Sequence, residues 1–364
     1  AKFVKTLELS KETEELEDTV YVGEFPNVDG DAILNLKYGQ VYLTENGVKK
    51  AEDYLVYTYI YMLTNSLGYI INLIYTRRFC SLKLTFHMNL KQHLMPILIL
   101  FGGQLAVTIY IQSDITMIGL FDSDKAVGVY TITSKIYMLI KGVINALTTV
   151  AIPRISYYLG ENQMERYRKF SNKLIRYLLL FVIPLVIGLF FFSENLLQII
   201  GGKQYISGVS TLKILALALF CAVFSGFFCN GIMVPNRKEK EYFFITTLSA
   251  CINITLNIFF IPQTGIMGAA ITTLISEMVV LLLSFYCIKR YLEVEWDFRH
   301  LFSVSIAGIG VVIICVLCKM IIKNTIIQLI IAILLSALTY CAVLISLKNE
   351  ILMNLIAGKL KNSR

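Results

Sequence analysis

The stretch LLLFVIPLVIGLFFF (178–192) carries no charged residue, and ILILFGGQLAVTIYI (97–111) is a second run of the same kind. A helix needs roughly 20 such residues to cross the hydrocarbon core of a bilayer. Working outward from these two runs, nine segments of that character emerge, at 55–75, 94–113, 126–150, 174–192, 210–233, 242–261, 267–288, 300–318 and 326–347. Hydrophobic residues make up 56% of the chain and mean hydropathy is +0.67. A membrane barrel shows only short alternating segments. The sequence therefore predicts an all-α, polytopic helical membrane protein with about nine transmembrane helices.

Lysine and arginine crowd into every second connection. One set of loops, together with the tail, holds twenty of them, including Arg77, Arg78, Arg166, Arg168, Lys169, Arg237, Lys238, Lys289, Arg290, Lys359 and Arg364. The intervening loops hold five: Lys125, Lys203, Lys213, Lys319 and Lys323. Short basic loops stay on the cytoplasmic side. The expectation is a multi-pass protein of the bacterial cytoplasmic membrane with its C-terminus inside. Loop bias accounts for the formal charge of +8, so no nucleic-acid partner is needed to explain it. Cys315 and Cys318 form a CxxC within an apolar run, and His87, His93 and His300 are scattered in loops. Neither pattern resembles a ligand set, and no metal or cofactor is expected.

Residues 1–54 are of a different character. Twelve acids and six bases give them a charge of −6, which leaves +14 for the remainder. ELSKETEELEDT (8–19) reads as an exposed helix end or loop, and Asn27–Asp31 reads as an acidic turn. GQVYLTENGVKKAEDY (39–54) reads as a short strand, a turn at Asn46-Gly47 and a helix start. Phe3–Glu8 and Val41–Glu52 resemble elements that lead into the preprotein-crosslinking domain of the SecA translocase motor. No GxxxxGK[ST] loop occurs in the chain, so ATPase activity is not implied. The expected organisation is a soluble acidic segment (1–54) fused near Tyr54–Leu55 to a transmembrane bundle (55–290). Two further spans and a basic tail follow (291–364).

Three local patterns in the membrane part belong together: YIQSDITMIGLFDSDKAVGVYTITSKI (110–136), TTVAIPRISYYLGE (148–161) and NITLNIFFIPQTGIMGAAITTLISE (253–277). They resemble the Wzx-type polysaccharide flippases, of the superfamily that also holds the MATE exporters and the lipid II flippases. The resemblance implies a MATE-like bundle matching helices six to fourteen of that family and lacking most of its N-terminal half. It implies translocation of an isoprenoid-pyrophosphate-linked oligosaccharide for cell-surface polysaccharide biosynthesis, by alternating access and without enzyme chemistry. The partners implied are that lipid-linked oligosaccharide, membrane lipids and other polysaccharide-assembly proteins. Two alternatives stand beside it: a MATE-type antiporter of organic cations, which would want an acidic cavity, and an inactive hybrid chain.

Ionisable groups inside spans cost about 3 kcal/mol at the bilayer centre on insertion scales, and they face a cavity or a partner. Here they are Asp114, Lys135, Lys141 and Glu277. A pyrophosphate headgroup needs cations in low dielectric, for which Lys135, Lys141 and Arg154 are candidates. Sugar rings need polar and aromatic surface, which Tyr130, Tyr137, Asn145 and Thr149 on the same span could supply. Lys135 reads equally as a snorkelling residue, and Asp114 is expected at the outer interface. Glu277 follows the small-residue run Gly268-Ala269-Ala270 and reads as a coupling-ion carboxylate or a structural acid. Asn253 and Asn257 share a helix face and are expected to bond between helices. Pro184 is expected at a kink and Pro153 at a helix end. The basic stretch 161–176 is expected to lie as an amphipathic loop along the headgroups.

Overall fold

The computed structural model describes residues 20–25, 28–35, 40–43, 59, 62–75, 77 and 90–354. The chain divides into two units, Ala1–Met88 and Asn89–Arg364. In the first, β1 (Val20–Phe25), β2 (Val28–Asn35) and β3 (Gln40–Leu43) form an antiparallel sheet in that order. Phe25 pairs with Val28 and Asn35 with Gln40. The expected acidic turn at 27–31 is thus largely strand, because VDGDAILN pairs with β1 on one side and β3 on the other. A helix, α1, covers 62–75 of the expected first span. Phe3–Glu8, the stretch 8–19, the turn at Asn46-Gly47, His87 and the tail beyond Asn354 lie outside the described residues.

The second unit is helical. It runs α2 (Leu90–Phe121), α3 (Asp124–Gly160), α4 (Met164–Phe191), α5 (Ser193–Ile200) and a 3-10 turn (Lys203–Gly208). Then come α6 (Val209–Gly226), a π-helical segment (Phe227–Met233), α7 (Glu239–Thr264), α8 (Ile266–Ile288), α9 (Phe298–Ile321) and α10 (Thr325–Ser346). Among the described residues seven helices are long and apolar enough to cross a membrane: α3, α4, α6 with its flanking turns, and α7 to α10. The remaining two expected spans fall on α1 and α2, so the number nine is not reached on these residues.

Helix α6 is the axis of the bundle. Its sequence is apolar on every side, the signature of a helix enclosed by others, and 72% of its membrane-length window is buried against 17% for α10. It packs on α8, α4 and α3, while α2 packs on α7 and α9 on α10. Leu212, Leu215, Leu219 and Val223 supply its core face, which Phe227 of the π-helical segment continues. A second cluster joins α4 to α9 and α10 through Leu180, Val304, Val311 and Tyr340.

Connections of one kind gather at one end. Arg168 pairs with Glu293 at 2.9 Å, and Arg176 pairs with Glu295 and Asp297 at 3.2 and 3.3 Å. Asn172 donates to the carbonyl of Glu293 and accepts from the amide of Glu295, fixing the α8–α9 connection along α4. His300 is no loop residue: it is buried in the first turn of α9, bonded to the carbonyl of Arg176 and to Asn349. Helices α3, α10 and the π segment all finish here in a left-handed residue, Asn162, Lys348 and Arg237. In each case the following amide bonds five residues back, the Schellman arrangement.

Two sequence expectations are corrected at this end. Pro153 does not terminate α3, which continues to Gly160 because Ile155 is fully buried and Arg154 stacks over Tyr158 and Phe170. Nor is 161–176 a surface loop. From Met164 it is the start of α4, and Tyr167, Ser171 and Asn172 are buried against Asn236 and the α8–α9 connection. Its charged face had masked an inward polar one. Pro184 lies inside α4.

Candidate functional site

Two hairpins bring the intramembrane polar groups together. Ser123 caps α3 by accepting from the amide of Ala126, with Asp124 in the first turn, where the helix dipole favours an acid. This makes a tight corner between α2 and α3. Gly265 forms the corner between α7 and α8 at φ 58°, a conformation that costs a residue with a Cβ about 1–2 kcal/mol. Its neighbour Gly268 lets the helices close, since a Cβ there would lie 2.6 Å from the carbonyl oxygen of Phe260. Asp114 and Tyr130 lie eight and seven residues from the first corner (Asp122, Ser123). Asn257 lies eight residues before Gly265, and Thr272 and Thr273 seven and eight after it. All five therefore sit about 12 Å from that end, at 1.5 Å per residue.

Asp114 occupies the centre of this layer and is 3% exposed. Its carboxylate accepts from Tyr130 (2.8 Å), Asn257 (2.6 Å) and Thr273 (2.9 Å). Asn257 in turn accepts from Thr272 and donates to Asn253. Asp114, expected at the outer interface, is buried among the helices, because α3, α7 and α8 each deliver a donor to it at the same depth. Among the described residues no cation lies within ion-pair distance of it.

One turn further along α8, about 6 Å from Thr273, is Glu277. It pairs with Lys141 of α3 at 2.9 Å, and the Ser225 hydroxyl of α6 lies 3.2 Å from its second oxygen. The Lys141 ammonium also stands 5.6 Å over the ring of Tyr137, one turn earlier on α3. Exposure is unequal: 22% for the Lys141 side chain, 6% for that of Glu277. Both line a cavity of about 180 Å³, together with Asn145, Asn230, Tyr242, Thr246 and Ser249.

Of the residues singled out in the sequence, Lys141, Glu277, Tyr137 and Asn145 come together here. Lys135 does not. It is exposed on the outer face of α3, six residues and thus most of a half-turn away from Lys141's face. Arg154 stands apart at the basic end over Phe170. Ser225, Asn230, Tyr242 and Thr246 escaped notice because single small polar residues in apolar spans are unremarkable. The glycines Gly226 and Gly231 framing FFCN were the one signal of an irregular turn there. That turn is π-helical, a form concentrated at functional sites.

A second opening, about 490 Å³, is almost wholly apolar and lies between α4, α9 and α10. Leu180, Phe181, Pro184, Val311, Ala332 and Tyr340 line it, and it reaches Ile140, the neighbour of Lys141 on α3.

Residues 100–259 match the MatE family. Over 161 residues the chain is 30% identical to membrane protein MJ1068 of Methanocaldococcus jannaschii, covering 43% of this chain and 31% of that one. It is 23% identical over 195 residues to Agl15 of Haloferax volcanii, described as a probable low-salt glycan biosynthesis flippase, covering 53% and 40%. The chain thus spans less than half the length of these relatives. Its structure is similar to the lipid II flippase MurJ in an inward closed conformation, with a TM-score of 0.56 and 18% identity over 76% of this chain and 57% of that one. The helices of 90–354 form a polytopic membrane bundle with that transporter fold.

Proposed function

We propose that this bundle serves a Wzx-type flippase, moving an isoprenoid-pyrophosphate-linked oligosaccharide across the bacterial cytoplasmic membrane, with its basic end and C-terminus inside. The observation that carries the reading is Lys141, a cation within a membrane-length helix that lines a cavity rich in polar side chains. The apolar slot that reaches its neighbour Ile140 is a place for the lipid tail. Asn145, Asn230 and Tyr242 offer hydrogen bonds to sugar or phosphate oxygens. Agl15 is described as a probable flippase and MurJ is a lipid II flippase, which supports transport without covalent chemistry. Asp114, ringed by neutral donors, is the group we assign to a coupling proton or monovalent cation, since a positive charge would complete its shell. An organic-cation exporter would offer its acid to the substrate; here Glu277, though it lines the cavity, is already paired with Lys141. Residues 1–54 keep the reading of a fused SecA-like segment, with Val41–Leu43 of β3 at the start of the similar element Val41–Glu52.

The test is transfer of a fluorescent isoprenyl-pyrophosphate saccharide between the leaflets of proteoliposomes containing the full chain. Lys141→Glu should lower the rate at least tenfold while Lys135→Glu leaves it within twofold. Equal loss in both variants, or in neither, would remove Lys141 from the mechanism.

A further inference from the structure

Lys141 is not a free cation waiting for a ligand: Glu277 already holds it at 2.9 Å. Resting on the reading of Lys141 as the headgroup cation, we propose that Glu277 is a built-in competitor that sets the charge a headgroup must carry. The carboxylate would occupy Lys141 when the cavity is empty and yield it only to an anion with more than one negative charge.

Three features of the geometry point this way. First, Lys141 and Glu277 line the same cavity as a closed pair, so an incoming anion meets the lysine with the carboxylate already on it. Second, Glu277 has somewhere to remain when the lysine turns away, because Ser225 lies beside its other oxygen. Third, Lys141 keeps a stabilising surface as it turns, the ring of Tyr137.

The physics of the exchange is a comparison of charges at similar distance, and Coulomb attraction scales with their product. A singly charged phosphodiester, such as the headgroup of an ordinary anionic phospholipid, gains at Lys141 about what Glu277 gives up. It also brings its charge close to a carboxylate. The exchange is therefore close to neutral, or unfavourable. A diphosphate carries two or more charges and still profits after displacing a carboxylate. Bulk membrane lipids vastly outnumber any lipid-linked sugar, so a transporter of the latter needs discrimination of this kind. Specificity here arises from repulsion as much as from attraction.

The experiment uses the purified full chain in nanodiscs of phosphatidylcholine, with farnesyl pyrophosphate and dioleoyl phosphatidylglycerol as titrated probes. The wild-type chain should prefer the pyrophosphate at least tenfold. Glu277→Gln should bind phosphatidylglycerol at least tenfold more tightly and lose most of that preference. Glu277→Asp keeps the charge but draws the carboxylate back by one methylene, and should fall between the two; it preserves the test if the glutamine variant does not fold. Unchanged discrimination in both variants, with binding still lost in Lys141→Met, overturns the competitor role and leaves the headgroup role of Lys141 standing. Pyrophosphate binding that survives Lys141→Met overturns both.

Discussion

Asp114 shows how a single residue type can be fully specified by its surroundings. Tyr130, Asn257 and Thr273 all donate to it, so both oxygens must accept. Asp114→Asn keeps the shape but turns an amide NH₂ toward one of those donors. A buried donor left unsatisfied costs about 1–3 kcal/mol, and a corresponding drop in the thermal midpoint of the detergent-solubilised protein is expected. If midpoints are unchanged, the cluster is not as closed as described. Lys141→Met should cost more, on the order of 3 kcal/mol, because it strands a buried carboxylate. Glu277→Gln should cost less, as the amide can still reach Ser225. The sequence marked all three ionisable groups as expensive but could not rank them. Asp114 stands a few residues from a span end, which reads as interface, and only the matching arm lengths of two hairpins reveal that four helices meet around it. Lys135 was indistinguishable from Lys141 because the face a lysine occupies depends on which neighbours its helix meets.

At the scale of elements, hydropathy alone located each apolar run, but the helices overrun them. Glu239–Thr264 covers the expected 242–261, and Met164–Phe191 absorbs all but the first three residues of the expected loop 161–176. A polar turn can remain helical when a partner takes its side chains, as the α8–α9 connection takes Asn172. That partner is remote in sequence, so no local pattern announces it. The continuity of α4 predicts a sharp contrast in labelling: a cysteine at Lys169 should react freely with an aqueous maleimide, and one at Ser171 should not. Comparable reactivity at both would restore the surface-loop reading. The left-handed ends give another prediction. Arg237→Gly and Lys348→Gly remove a side chain from an unfavourable backbone conformation and should each stabilise by about 1 kcal/mol, seen as a higher unfolding midpoint.

At the scale of the whole molecule, the alternation of basic and nearly charge-free loops is mirrored in space. Arg168, Arg176, Lys238 and Lys348 lie at one end, and the corners at Ser123 and Gly265 at the other. Reporter fusions at residues 163, 237 and 349 should therefore report cytoplasm, and fusions at 123, 203 and 323 the opposite side. A mixed pattern within either set would contradict the arrangement of the helices. The two corners also carry an evolutionary consequence. Because the Asp114 layer is located by residue count from each bend, its depth is an integer property of the chain, indifferent to most changes of composition but intolerant of changes in length. One residue inserted between Ser123 and Tyr130 would swing the tyrosine by a hundred degrees, whereas many substitutions along the same arm would pass unnoticed. Descendants of this sequence can drift widely in letters while these four short arms keep their lengths.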